Sequence, residues 1–279
     1  MSTAEIAGGT VLVGIVGRDD PARALTWAVE AAGLERRHLS VAHVDDRGST
    51  RDGLVSRAVT RARRSAPDLD VTGAWLHGDA EQVLVDLSTQ AHLLVLGVRD
   101  RPGRVATAVT GRAACPVVLC PATAPSSAEA VLVGADGTVG SLPALELAFR
   151  QASLRDLPLQ VALSATRPTS LSLPAGQPPA DQGELRLQLA EAVAGLADKF
   201  PEVRLSLRLD SDDLRETLTD DRRWALVVVA GSPHQAPDRQ PLPDRAAAVL
   251  EATTSPLVVV PEVPADQRRG LPLTQEETP

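Results

Sequence analysis

A chain of 279 residues that is 43% hydrophobic suits two domains of ordinary size, each with enough apolar material for its own core. A net charge of −8, no Tyr, two Phe and three Trp leave neither a basic footprint nor a stacking surface for nucleic acid. No stretch approaches the roughly 20 apolar residues that span a bilayer, and Met1–Gly9 lacks a basic leader, so a cytoplasmic protein is expected, without a membrane partner.

In chain order, short β-branched runs alternate with amphipathic stretches, the pattern of a βαβ unit and a parallel sheet. Strands are predicted over Thr10–Val16, His38–Val44, Asp70–Leu76, Leu93–Gly97 and Pro116–Leu119. Helices are predicted near Pro21–Gly33, Asp52–Ser65, Asp79–Gln90 and Arg104–Ala113. Asp79-Ala80-Glu81-Gln82 reads as a capping box, with an acidic cap and Gln three residues on.

The series then repeats. Val11-Leu12-Val13-Gly14 returns as Val131-Leu132-Val133-Gly134, and Ala24-Leu25-Thr26-Trp27-Ala28 aligns with Ala144-Leu145-Glu146-Leu147-Ala148 at the same offset of 120. Further on, Leu94-Val95-Leu96-Gly97 answers Val228-Val229-Ala230-Gly231, and Cys115-Pro116-Val117-Val118 answers Ser255-Pro256-Leu257-Val258. A period this long means two copies of a whole domain. Strands of the second copy are predicted over Ala130–Ala135, Pro158–Leu163, Val203–Leu209, Ala225–Ala230 and Pro256–Val260. Its helices are placed near Ser141–Leu154, Gln182–Phe200, Asp212–Asp220 and Asp244–Thr253. The domains then cover residues 1–123 and 128–262, joined near Ala122–Ser127. The Thr166–Asp181 stretch reads as a flexible surface loop, and the tail 263–279 as disordered.

Two five-stranded units, a V-G-x-D-G entry and a glycine turn after each fourth strand together resemble the universal stress protein family in its tandem two-domain form. The resemblance implies two doubly wound parallel five-stranded sheets of the adenine nucleotide alpha hydrolase-like kind, strand order 3-2-1-4-5. Nucleotide-binding members of that family carry an Asp at the end of the first strand and a G-x2-G-x9-G-[ST] loop after the fourth. The carboxylate reaches the nucleoside at the carboxyl edge of the sheet, and the glycine loop and helix start hold the phosphates.

Neither repeat keeps all of these pieces. In the first, Val16 occupies the Asp position, and the loop from Gly97 to Gly103-Arg104 is about seven residues shorter, with Asp100 at the second glycine. Arg99, Arg101 and Arg104 retain some attraction for an anion. The second keeps Gly134 and Asp136 and a loop of nearly full length opening with Gly231-Ser232. There His234 replaces the second glycine, Pro243 the third and Asp244 the Ser, and four prolines remove N–H donors. Asp136 either touches a nucleoside or caps the following turn. No cofactor is expected, with ATP or adenosine bound weakly at most.

The remaining chemistry-bearing residues read as structure. Cys115 and Cys120 lie about 16 Å apart along one strand, at roughly 3.3 Å per residue, and on opposite faces; they cannot bridge and are expected to be buried. His43 and His77, with Asp45, Asp46 and Asp79 nearby, follow no ligand spacing and are expected as solvated loop residues in preference to a metal site. Trp27, Trp75 and Trp224 read as single apolar anchors, and Asp19-Asp20 and Asp220-Asp221 as solvated or capping charge. No nucleophile elbow or complete phosphate loop appears.

The expectation is therefore a non-catalytic binding or regulatory protein in stress response with a protein or small-molecule partner. The alternative is an ATP-binding sensor or a nucleotide-hydrolysing enzyme on the same scaffold. Both closing strands, Pro116–Leu119 and Pro256–Val260, are apolar and would lie at sheet edges, which proteins pair or cover. They are expected to meet antiparallel within one chain as a pseudo-dimer, with a homodimer as a further assembly.

Overall fold

The computed structural model describes residues 6–16, 21–45, 52–99, 102–122, 129–135, 139–164, 182–210, 224–233 and 254–262. The first half contains β1 (Thr10–Val16), α1 (Ala22–Leu34), β2 (Leu39–Asp45), α2 (Asp52–Ser65), β3 (Val71–His77), α3 (Ala80–Ser88), β4 (Ala91–Val98), α4 (Arg104–Arg112) and β5 (Val117–Pro121). The second contains β6 (Ala130–Ala135), α5 (Leu142–Arg155), β7 (Leu159–Ser164), α6 (Gln182–Lys199), β8 (Leu205–Asp210), β9 (Trp224–Pro233) and β10 (Leu257–Glu262). The helices foreseen over 212–220 and 244–253, the loop 166–181, the linker 123–128 and the tail lie outside the described residues.

The ten strands of the described residues join in one sheet, ordered β3-β2-β1-β4-β5-β10-β9-β6-β7-β8. Each half has the order 3-2-1-4-5, and every pairing within a half is parallel. Central strands such as β1, TVLVGIV, are apolar along almost their whole length because helices cover both faces. The outermost strands alternate more: β3 exposes Thr72 and His77, and β8 exposes Leu207.

The two apolar closing strands meet as their sequence suggests. β5 and β10 pair antiparallel, with Leu257 opposite Leu119, Val258 opposite Val118 and Val259 opposite Val117. Val118 and Val258 are equivalent positions of the repeat, so this pair sits on a pseudo-two-fold axis that exchanges the two flanking pairs. One apolar layer runs across this seam on the face of α1, α2, α5 and α6, from Val11, Leu25 and Val55 to Phe149, Val228 and Val258. The opposite layer joins Leu84, Leu87 and Val109 of α3 and α4 to Trp224, Leu257 and Val259.

The repeat extends to backbone detail. α1 and α5 both end with a left-handed residue, Arg36 at φ 52° and Asp156 at φ 51°. In each case the next N–H closes on the carbonyl five residues back, Arg37 to Ala32 at 2.9 Å and Leu157 to Ala152 at 3.0 Å. This is a Schellman closure, built here without glycine. The α3 cap forms as expected on one side: the Asp79 Oδ1 accepts from Glu81 N at 2.9 Å and Gln82 N at 3.1 Å. The reciprocal half of the box does not form, because Gln82 Nε2 donates to Asp86 at 2.7 Å while its carbonyl accepts from Arg112 at 2.9 Å.

Candidate functional site

The carboxyl edges of the parallel strands are where open α/β sheets receive ligands. In the first half β1 ends there in Val16, an apolar side chain with no hydrogen bond to offer a nucleoside. Beside it, His43 is buried inside β2, donating from Nδ1 to the Ile15 carbonyl at 3.0 Å. That corrects the expectation of a solvated loop residue: the strand runs on to Asp45, itself buried, and carries His43 into the sheet. His77 packs edge-on against Trp75, with 4.1 Å between ring centroids. Among the described residues no group of three His, Cys, Asp or Glu could hold a metal ion.

The anticipated glycine turn begins later than its glycine. Gly97 lies inside β4, opposite Cys120 of β5, and the strand continues to Val98. Gly103 caps α4 in an extended conformation, and Arg104 opens that helix. Arg104 is a cation in a first turn, where the helix dipole disfavours it. It lies 3.7 Å from the Glu81 carboxylate on α3, which also holds Arg112 at 2.7 Å. The Arg104 side chain is 79% exposed, so an incoming anion would compete with Glu81 for it in water. Arg23, in the first turn of α1, has a buried Nε with no hydrogen-bond partner and was not singled out by the sequence. Burial pushes both Cys115 and Cys120 up to about 12, so these thiols stay protonated and unreactive at neutral pH.

In the second half β6 carries Gly134 to its end at Ala135, while Asp136, His234 and Asp244 lie outside the described residues. Here too the expected turn starts late, because β9 runs through Gly231 and Ser232 to Pro233. Gly231 fits a tight place within the sheet: a Cβ there would stand 3.2 Å from both Val259 Cγ1 and the Val260 carbonyl oxygen. Its small size serves the packing of β9 against β10.

A polar network between α1 and α5 escaped the reading of single motifs. The Glu35 side chain, at the end of α1, is 0% exposed and meets Arg150 Nη2 at 2.9 Å, His92 Nε2 at 2.7 Å and Gln151 Nε2 at 2.8 Å. Arg37 approaches at 3.5 Å. Burial pushes this carboxyl up, but the His92 hydrogen bond and the charges of His92 and Arg150 prevail and hold it below its ordinary value. At the other end Arg155 faces Glu30 at 3.6 Å, donates to Gln151 and lies over the Trp27 ring, 5.4 Å from its centroid. The legible signal was the offset of 120, which pairs Glu30 with Arg150 and Glu35 with Arg155.

Known proteins give this architecture a place. The profile of the universal stress protein family matches residues 128–261. A universal stress protein of Mycobacterium tuberculosis is 30% identical over 262 residues, spanning 81% of this chain and 88% of that protein. The chain belongs to the universal stress protein family. Another universal stress protein, from Mycobacterium bovis, is 28% identical over 257 residues, spanning 80% of this chain and 86% of its own length. Among solved structures, a universal stress protein of Archaeoglobus fulgidus shares the fold with a TM-score of 0.63 at 13% identity, covering 90% of this chain and 98% of that one. Among the described residues no helix is long and apolar enough to cross a membrane.

Proposed function

We propose that this universal stress protein is a non-catalytic binding and regulatory protein of the stress response whose nucleotide sites are degenerate in both halves. The observation that carries the reading is Val16 at the carboxyl end of β1, where the family's nucleotide-binding members place an Asp. In the second half the Asp136 carboxylate survives in the sequence, but its loop has exchanged two glycines for His234 and Pro243 and gained Asp244. One carboxylate–nucleoside hydrogen bond contributes about 0.5–1.5 kcal/mol net, against the roughly 8 kcal/mol that micromolar affinity requires. Without backbone donors the triphosphate charge goes uncompensated.

Titration calorimetry of the full chain with ATP and with adenosine tests this. The expected result is no micromolar ATP binding, with any residual affinity favouring adenosine over ATP. Micromolar ATP binding abolished by Asp136→Ala would install the nucleotide-sensor reading, and ATP turnover by the purified protein the enzyme reading. Mass spectrometry of whatever co-purifies identifies the ligand or partner that the degenerate sites leave open.

A further inference from the structure

The α1–α5 seam obeys the rule of an isologous contact: where residue i touches j across a two-fold, j touches i. The operation that carries Glu35 onto Arg155 and Arg150 onto Glu30 turns the Glu35–Arg150 pair into the Arg155–Glu30 pair. Both are present, at 2.9 Å and 3.6 Å. In both, the acid comes from the first half and the base from the second. The backbone keeps the symmetry while the charges reverse it.

That reversal has a strong consequence for what this surface accepts. Were two first halves placed across the same axis, position 35 would face position 30 twice, Glu against Glu. Two second halves would set Arg155 against Arg150 twice. Like charges brought together at a partly dry contact repel by several-fold more than in water. We infer that the charges at residues 30, 35, 150 and 155 form a recognition code by which a first half accepts only a second half and rejects a copy of itself. Pairing of like halves through this face is therefore disfavoured in wild-type chains, although Glu35 would keep His92 and Arg37 of its own half. A second copy must use another surface or exchange unlike halves.

Two further observations support a recognition role over an incidental ion pair. Glu35 ends α1, where the helix dipole disfavours an anion, whereas Arg155 ends α5, where it favours a cation. The acid stands at its equivalent station against that local preference, held by groups from both halves. The carboxylate is also wholly buried, and a buried charge is retained only where it is paired.

The test is a charge series in the full chain, read by the urea unfolding midpoint and by hydrogen exchange of α1 and α5. R150Q/R155Q removes the attraction, whereas R150E/R155E gives the second half the charges of the first. The code predicts that R150E/R155E lowers the folding equilibrium constant at least about tenfold more than R150Q/R155Q. It also predicts that most of the loss in R155E returns in E30R/R155E, because Glu30 is 56% exposed and readily reversed. Equal losses in the Gln and Glu pairs, or an E30R/R155E chain weakened by the sum of its single variants, would overturn the inference. If R150E/R155E fails to fold, the cycle of E30R, R155E and E30R/R155E decides alone. Loss of Arg155 packing on Trp27 is common to R155E and E30R/R155E, so recovery by opposite charge separates recognition from packing.

Discussion

Gly97 and Gly231, aligned with each other in the sequence repeat, stand one residue apart in the sheet. Gly97 pairs with Cys120 and is equivalent to Ala230, which pairs with Val260, so Gly231 is equivalent to Val98. Among the described residues, a Cβ on Gly97 would meet Ala24 Cβ at an ordinary 3.7 Å, whereas one on Gly231 would press the Val260 carbonyl oxygen at 3.2 Å. The helix ends differ likewise, since α1 closes with acidic Glu35 and α5 with basic Arg155 on the same backbone turn. The two halves share the path of the backbone, and their side chains differ where α1 and α5 meet. The universal stress protein skeleton and its chemistry are thus separable.

The largest expected effect comes from the acidic side of that comparison. Glu35→Ala leaves Arg150, His92 and Gln151 facing an emptied site. The cost should be about 2–3 kcal/mol by urea denaturation, below the roughly 3–5 of a fully buried pair because the cations reach solvent. Arg150→Ala, removing the 39%-exposed partner, should cost distinctly less, and equal costs would break the asymmetry drawn between the halves.

The same carboxyl gives a pH dependence whose sign is fixed. Its folded pKa lies below the ordinary 4.5, so the unfolded chain takes up the proton first as pH falls. The stability Glu35 contributes is complete above that value and is lost as pH drops below it. Melting temperatures followed from neutral pH down through this range should fall more steeply for the wild type than for Glu35→Gln. Parallel curves would remove Glu35 from the acid response.

The two glycines, one residue apart in register, sharpen the comparison at smaller magnitude. Gly231→Ala should cost about 1–2 kcal/mol, since the contacting atom is backbone in β10 and cannot swing aside. Gly97→Ala should change stability by less than about 0.5 kcal/mol. Equal responses would mean that the two glycines are packed alike despite their offset of one residue in the sheet.

The smallest effect is at the helix ends. Arg36→Gly relieves a left-handed side chain at φ 52° and should stabilise by about 0.5–1 kcal/mol. Asp156→Gly should gain less, because Asp tolerates that conformation better than Arg. Thermal melts of the two variants rank them directly.

Much of this molecule was legible in the sequence, for reasons specific to its elements. Apolar runs bounded by turns gave β1 and β6 to the residue, because parallel strands covered on both faces carry a continuous apolar signature. The apolar closing strands foretold their own pairing through the cost of leaving such an edge open. Family motifs point to a candidate site, but the strand bounds place Gly97 and Gly231 inside the sheet. The fourth strands were expected to end at Gly97 and at Ala230, and pairing to β5 and β10 carries them on as ladder to Val98 and to Pro233. His43 was misread for a different reason: it lay inside the predicted strand, but its burial follows from β2 being flanked by β1 and β3, where it pairs with Ile15 and Trp75.

What the sequence determined by itself was the repeat, the order of the described strands and helices, and which residues stand at the family's motif positions, Val16 in the first half and His234 and Pro243 in the second, all written in local pattern and residue identity. Tertiary structure alone decided which charges meet. Glu35 and Arg150 lie 115 residues apart, and no local periodicity links them. Only the antiparallel seam of β5 and β10 sets α1 beside α5, with the sheet excluding water beneath them. An ion pair across a two-fold is a property of the assembled surface, because its strength depends on the distance and dielectric that folding creates.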